Sequence, residues 1–343
     1  MRLEKLKRRI WKSGGNYVTS LPRSWAENIV KNYNSEVEGI LLQDKFILTV
    51  PYEKARKKYV RVDSIEDKYK LKMDVVTSYL RGFDGVEFPE TSVSKEFIQY
   101  LYFTIPGMKG PELTPQKNFR ISFFPVYDVS LKENYSNLKT IINELKNVTK
   151  DAFKAFPSLT EINKSKIYVE NLEHQLDMMT YHVRKYLNLA LSYADIFERT
   201  ELKSDEDVIY VTSLFGYFER LGDLHKEVVE RIEKIANTEF SKHGNLTKFL
   251  SHYELTTKYI DDTINSLGEN RASSLKVIRE VMEKKAKKGL LYQREEELQK
   301  FIESLNTTPN IIRHLTILEG KLRAIPDICA NICEVVYNLS MTK

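Results

Sequence analysis

Short apolar runs broken by turn residues fill the first 52 positions, whereas apolar residues three and four apart dominate from about residue 131 onward. The first pattern predicts a β-rich unit. Strands are expected over 7–12 and 17–21 around Ser13-Gly14-Gly15-Asn16, and over 37–42 and 46–50 around Gln43-Asp44-Lys45. Pro22 opens a short helix between the hairpins, 23–30, since proline is tolerated in a first helical turn. So few residues bury little core on their own, and pairing with a second copy is one way to complete it.

A charged run, Glu53-Lys54-Ala55-Arg56-Lys57-Lys58, leads into a mixed segment over residues 59–125. The pattern predicts strand 59–62, helix 65–81, strand 86–88, helix 94–104 and strand 118–124, with Pro106 to Pro115 as loop. This is a small α/β unit in βαβαβ order, and no chemistry is legible in it.

The long-period region predicts six helices: 131–155, 164–199, 205–238, 245–268, 271–305 and 310–340. Leu172, Leu176, Met179, Val183, Leu187 and Leu191 trace one such apolar face. Breaks fall at Phe156-Pro157-Ser158, Lys203-Ser204-Asp205, His243-Gly244-Asn245 and Thr307-Thr308-Pro309, with Ser204 or Asp205 suited to an N-cap. Six helices of this length fit two antiparallel three-helix bundles. A weak repeat agrees with that division. At an offset of 104 residues Asp223 falls on Asp327 and Glu230 on Glu334, while Leu221, Leu224 and Val228 fall on Ile325, Ile328 and Ile332. The expected fold class is therefore multi-domain and mainly α.

Hydrophobic residues at 42% and charged residues at 29% are ordinary for a globular protein, and 343 residues suit two or three domains. No apolar run approaches the roughly 18 to 20 residues that cross a bilayer, and the charged start is unlike a signal peptide. Membrane insertion is not expected. Cys329 and Cys333, one helical turn apart at apolar positions, predict buried thiols and a reducing cytoplasm. The net charge of +5 is unevenly spread. Residues 1–60 carry 13 Lys and Arg against 6 Asp and Glu, so the positive excess lies wholly at this end. It points to a phosphate backbone or an acidic partner, or simply to a solvated basic surface.

Two carboxylate pairs carry the candidate chemistry. Glu173 and Asp177 stand four apart on the second long helix, and Glu219 and Asp223 on the third. That spacing puts each pair on one helical face, where like charges repel. If antiparallel packing brings the pairs together, four oxygen donors call for a cation, as in bundle metal sites. A solvated acidic face is the alternative. Gly222 adds to the case, because a glycine inside a helix costs about 1 kcal/mol relative to alanine and marks close helix approach or room for a ligand. His174, His182 and His225 are possible helpers, with His182 better suited to the helix surface.

The run Phe218-Glu219-Arg220-Leu221-Gly222-Asp223 resembles the E-R-I-G-D signature of PhoU proteins, and Val169 to Asp177 followed by Val183-Arg184-Lys185-Tyr186-Leu187 resembles their other acidic helix. The resemblance covers residues 131–343. It implies paired three-helix bundles, phosphate signalling, and a divalent or trivalent metal ion (Fe, Mn, Zn or Mg) held by Glu173, Asp177, Glu219 and Asp223. The second bundle departs from it: the glutamate position is Arg323, the glycine position Pro326, and the fifth helix offers Val277 and Val281 where acids would stand. In the first, Leu224 takes the place of the usual histidine, with His225 next to it.

Arg9 to Pro22 is similar to the first half of an AbrB/SpoVT-type swapped-hairpin domain, although Ser35-Glu36 replaces the usual Gly-Asp. This resemblance implies that residues 1–52 form half of a dimeric β barrel and that Arg8, Arg9, Lys12 and Arg23 contact duplex DNA. The combined architecture resembles archaeal phosphate-uptake regulators: homodimeric or larger, cytoplasmic, DNA-binding. The alternative is a metal-binding adaptor acting on a phosphate transporter subunit, with the N-terminal module used for dimerisation alone. An antitoxin-like role is a more distant option. No Ser-His-Asp order, Gly-rich phosphate loop or Cys-x-x-Cys pair is present, and no enzyme is expected.

Overall fold

Gly14 turns the chain with φ 61°, a conformation open to glycine, and closes a two-residue hairpin between β1 (Ile10–Ser13) and β2 (Asn16–Thr19). Helix α1 (Arg23–Tyr33) follows, then a second antiparallel hairpin of β3 (Glu38–Leu42) and β4 (Lys45–Thr49). The computed structural model describes residues 9–33, 37–42, 45–50, 57–62, 68–89, 94, 96, 99–101, 108–113, 118–123, 130–200, 202–267 and 271–341. Within them the two hairpins remain separate two-stranded sheets, so one chain closes no barrel. Of the described side chains in this region only Ile29 is buried, while Ile10 is 72% and Trp11 49% exposed. Among its described side chains the first hairpin buries none.

The middle segment differs from the βαβαβ expectation. Strands β5 (Lys57–Arg61), β6 (Phe83–Pro89), β7 (Met108–Leu113) and β8 (Asn118–Phe123) form one sheet in the order β5-β6-β8-β7. Helix α2 (Lys68–Leu80) links β5 to β6, which run parallel, and the other pairings are antiparallel. The stretch expected as loop therefore contains β7. Gly110 and Pro111 hid it: β7 is an edge strand, where proline is tolerated, and its register shifts between Met108 and Pro111. Of the expected helix 94–104, residues 96 and 99–101 are helical and most others lie outside the described residues. Leu71, Val75 and Tyr79 of α2 pack on Val86, Phe88, Ile121 and Phe123 of the sheet.

Beyond Ser130, whose hydroxyl caps the first helix by accepting from the Glu133 amide at 3.2 Å, the chain is helical. The elements are α3 (Leu131–Ala155), α4 (Leu159–Ala190), α5 (Ala194–Arg199), α6 (Asp205–Ala236), α7 (Phe240–His243), α8 (Thr247–Ser266), α9 (Arg271–Lys285), α10 (Gly289–Glu303) and α11 (Pro309–Met341). Ser204 caps α6, accepting from Asp207 N at 3.1 Å. Two expected helices are each divided. The chain stops between Ala190 and Ala194, leaving Leu191 exposed, and it breaks again after Lys285, where Lys287 has φ 57° and Gly289 φ 80°. Helices α3, α4 and α6 pack on one another, as do α8, α9 and α11, with α10 laid against the second group. The long seam between α6 and α11 joins both groups into one continuous core, which also buries Cys329 and Cys333. Among the described residues no helix is long and apolar enough to cross a membrane.

Helix α4 also carries the other units. Its Lys185 ammonium lies 4.3 Å from the Tyr79 ring centre, and its Asn188 amide donates to Leu80 O at 3.1 Å. At the other end, Ala194 N donates to Thr49 Oγ1 at 3.0 Å, so α5 holds the second hairpin. Gly82 makes the α2 contact possible: its φ is 75°, and a Cβ there would lie 2.3 Å from Leu189 Cδ2. Gly82→Ala should therefore lower stability by about 2 kcal/mol, since it meets both backbone strain and a clash. Thermal denaturation should show a fall of roughly 4 to 8 °C at about 2–4 °C per kcal/mol for a protein of this size. An unchanged midpoint would mean that Leu189 does not hold the sheet to α4.

Candidate functional site

Close approach of α4 and α6 positions the four carboxylates. Gly222 faces Leu176, whose Cδ2 would sit 2.7 Å from an added Cβ, so the glycine lets the helices pack tightly beside the acids. Glu173 and Asp177 on α4 then share a field with Glu219 and Asp223 on α6. The Asp177 carboxyl is pushed up to about 7, by burial first and then by Glu173, Glu219 and Asp223 in turn, with Lys226 opposing. Glu219 is also raised, by burial and by Asp223 and Glu173, against the pull of Arg184.

The four do not stand as a ligand sphere. Lys226 Nζ is 3.1 Å from Glu173, Arg184 Nη2 3.3 Å from Glu219, and Arg220 Nη1 3.3 Å from Asp223. Three carboxylates thus already have cations, and among the described residues Asp177 has no ion pair. Arg184 reaches its place over Gly216, where a Cβ would lie 2.7 Å from its Nη2. Among the described residues no group of three or more His, Cys, Asp or Glu is gathered closely enough to hold a metal ion. Oxygen-donor chemistry is present at this seam, and ligating geometry would need these three cations to swing aside.

Two of the three histidines are engaged away from the quartet. His225 is fully buried against Thr149 Oγ1 at 3.1 Å and Tyr253 Oη at 3.3 Å, and burial, then Lys146, pushes it down to about 3. His182, expected at the surface, is half-buried, with Nδ1 3.4 Å from Tyr79 Oη at the contact with the middle sheet.

No protein-family model and no curated protein matches this chain. The site must be judged on its own geometry, and the second helical group sharpens that judgement. Its counterpart of the acidic seam holds resident cations. Lys284 of α9, nearly buried, puts Nζ 2.8 Å from Asp327 and 3.5 Å from Glu295, while Arg323 reaches Glu295 at 3.2 Å and Glu319 at 2.9 Å. Val277 and Val281 are core residues there. Sequence reading missed this cluster, although a trace was present. Glu295 lies in the buried stripe Leu291, Leu298, Ile302, and Lys284 continues the stripe Val277, Val281. A charge on an apolar stripe signals a buried partner.

Of the basic residues at the other end, Arg8 lies outside the described residues. Arg9 and Lys12 are exposed on the first hairpin, and the Arg9 carbonyl accepts from Thr19 Oγ1 at 3.1 Å. Strand alternation sends Lys12 to the side of Ile10 and Arg9 to that of Trp11. Arg23, in the first turn of α1, pairs with Glu27 at 2.6 Å.

Proposed function

We propose that the protein is a non-enzymatic, DNA-binding transcriptional regulator of phosphate uptake, dimeric through its N-terminal module and metal-responsive through its helical domain. The observation that carries this reading is the first hairpin, which leaves Ile10, Trp11 and Lys12 all exposed in a single chain. Apolar and basic side chains together on an uncovered two-stranded ribbon suit a second copy that covers the apolar groups and a polyanion that meets the basic ones. A second copy interleaving its hairpins would complete a swapped-hairpin barrel of the AbrB/SpoVT type and bring both sets of basic residues together. In the helical domain, paired three-helix bundles of the PhoU type would hold one metal ion at Glu173, Asp177, Glu219 and Asp223, and none at the seam that Lys284 and Arg323 fill.

Sedimentation of the full chain should give a dimer. Trp11→Asp, which puts a charge at an exposed aromatic position of the ribbon, should shift it toward monomer at micromolar concentration. A monomeric parent would remove the interleaved barrel.

Titrations of duplex DNA at several salt concentrations test the second part. Affinity should fall steeply with salt, because each phosphate contact releases counterions with a slope of about −0.9 per contact. Replacing Arg8, Arg9, Lys12 and Arg23 together by alanine should weaken binding about tenfold to a hundredfold on any sequence and flatten that slope. Equal binding by parent and variant would show that these are not the contacts. The Arg23–Glu27 pair favours a second reading, in which the module only dimerises and the protein is an adaptor for a phosphate transporter subunit. Absence of salt-dependent DNA binding by the parent would select it.

A further inference from the structure

The turn between α9 and α10 holds lysines where local preference disfavours them. Its backbone closes α9 in a regular way: Lys288 N donates to Glu283 O at 2.8 Å and Lys287 N to Lys284 O at 2.9 Å, which satisfies the last carbonyls of the helix. The left-handed position of such a closure ordinarily belongs to glycine. Here it is Lys287, with φ 57°, the one non-glycine residue at positive φ among the described residues. Lys288 follows at the N-cap of α10, where its side chain caps nothing and the helix dipole disfavours a cation. Only Lys285, in the last turn of α9, suits the dipole beside it. All three are exposed, and none has an ion pair among the described residues. Lys276 and Lys284 on the same helix are paired, with Asp262 at 2.6 Å and Asp327 at 2.8 Å, so the free positive charge is confined to the turn. Glu283 is the one acid between Val281 and Leu291.

Apolar side chains flank these lysines. Met282, in the last turn of α9, is 58% exposed, and Leu290, in the first turn of α10, is 56% exposed. Leu275, two turns before Met282, is 46% exposed and extends the stripe along α9. Both helices already fill the core with their opposite faces, through Val277 and Val281 on α9 and Leu291 and Leu298 on α10. Met282 and Leu290 are therefore spare to the fold.

The combination discriminates among anionic partners. Duplex DNA would meet the lysines and leave the methionine and leucine in water, since phosphate contacts are purely polar. Free phosphate would leave them in water too. An anionic bilayer engages both kinds of side chain: cations meet the headgroups, and the apolar groups beside them enter the boundary with the acyl chains.

We propose that the α9–α10 turn docks the protein on an anionic lipid surface, with Lys285, Lys287 and Lys288 at the headgroups and Met282 and Leu290 in the acyl boundary. The contact is peripheral and reversible. Each basic residue near such a surface strengthens partitioning about fivefold, and salt screens that attraction. The proposal stands apart from the regulatory reading and would survive its failure, since none of these residues is assigned to DNA or metal.

Co-sedimentation of the full chain with vesicles tests it, one set of phosphatidylcholine alone and one of equal parts phosphatidylcholine and phosphatidylglycerol. The protein should bind the anionic vesicles and not the neutral ones, and should be released as salt rises. Lys285→Glu/Lys287→Glu/Lys288→Glu should weaken binding about a hundredfold or more. Met282→Ser/Leu290→Ser, which leaves the charge untouched, should weaken it about tenfold. Lys287→Gly separates the two properties of that position: its thermal midpoint should rise as the left-handed backbone is relieved, while vesicle binding falls several-fold. A midpoint that falls would mean that Lys287 serves the fold and would remove the argument from it. The variant lacking Arg8, Arg9, Lys12 and Arg23 should bind vesicles as the parent does, which keeps this result separate from the DNA result. Loss of vesicle binding in that variant would place the contact at the other end of the chain. Failure of the parent to bind anionic vesicles overturns the proposal, as does equal binding by the triple variant. Undiminished binding by Met282→Ser/Leu290→Ser would reduce the contact to adsorption of charge and overturn docking at this turn. Loss of duplex-DNA affinity in the triple variant, with vesicle binding intact, would assign the turn to nucleic acid instead.

Discussion

Lys284→Met should be among the most damaging single substitutions in the helical domain. The lysine is 7% exposed at its side chain and stands between Glu295, itself 5% exposed, and Asp327. Removing one partner of a buried pair costs about 3–5 kcal/mol, because the remaining charge stays in a poor dielectric. The thermal midpoint should drop by roughly 10 °C or more at about 2–4 °C per kcal/mol. The loss should also depend on pH in a fixed direction. Burial raises the Glu295 carboxyl, and Lys284 and Arg323 pull it back down. Without the lysine it rises further above its unfolded value, so the fold keeps a proton that the unfolded chain gives up. Stability of the variant is then greatest in acid and is lost as pH rises through the raised value. Scanning calorimetry of parent and variant from pH 5 to 8 reads this directly. A cost below about 1 kcal/mol, or the same pH slope in both proteins, would show that Lys284 is not the counter-ion.

Asp177→Asn should have opposite effects with and without metal. In chelator, the parent's Asp177 is held up to about 7 by burial and by Glu173, Glu219 and Asp223. Its contribution to stability is therefore present below the unfolded value near 3.8 and declines as pH rises through about 7. Asparagine removes one of four like charges and this slope together, so the chelated variant should melt about 2 to 4 °C higher near pH 8, a gain of roughly 1 kcal/mol. With metal the order reverses, because a bound cation stabilises the ionised carboxylates and the fold with them. Elemental analysis of protein purified without chelator should find about one ion per chain in the parent and little in Asp177→Asn or in Asp177→Ala/Asp223→Ala. The metal-loaded parent should be the more stable protein. Equal metal in parent and variants would return the quartet to an acidic face neutralised by Lys226, Arg184 and Arg220.

The helical half was largely legible because a period of 3.6 residues repeated over many turns leaves few alternatives. Helix α3 matches its expected bounds, and Ser204 caps α6 as the polar break before Asp205 implied. Local signals that mean two things were misread. Gly110-Pro111 reads as a turn yet sits in an edge strand, and the lysine-rich run ending at Gly289 is a helix stop that was passed over. The carboxylate quartet could be proposed from i, i+4 spacing. Of its three cations Arg220 stands three residues before Asp223 on the same helix, but the other two could not be, since Lys226 and Arg184 reach it only through side-chain placement across the seam. The same holds for His252, one of several polar residues on α8 until the packing of α10 leaves its ring without partners.

The bond from Ala194 N to Thr49 Oγ1 ties the two ends of the molecule mechanically. Asp177 and Ala190 lie on one unbroken helix, thirteen residues apart and so separated by roughly 20 Å along its axis at 1.5 Å per residue. Helix α5 then turns the corner and grips β3 and β4 but has no such grip on β1 and β2. Any tilt of α4 that accompanies a change at its acidic residues is passed as a rigid lever arm to one hairpin and withheld from the other. The two ribbons would shear against each other, and the span between basic residues on opposite halves of a dimer would change with them.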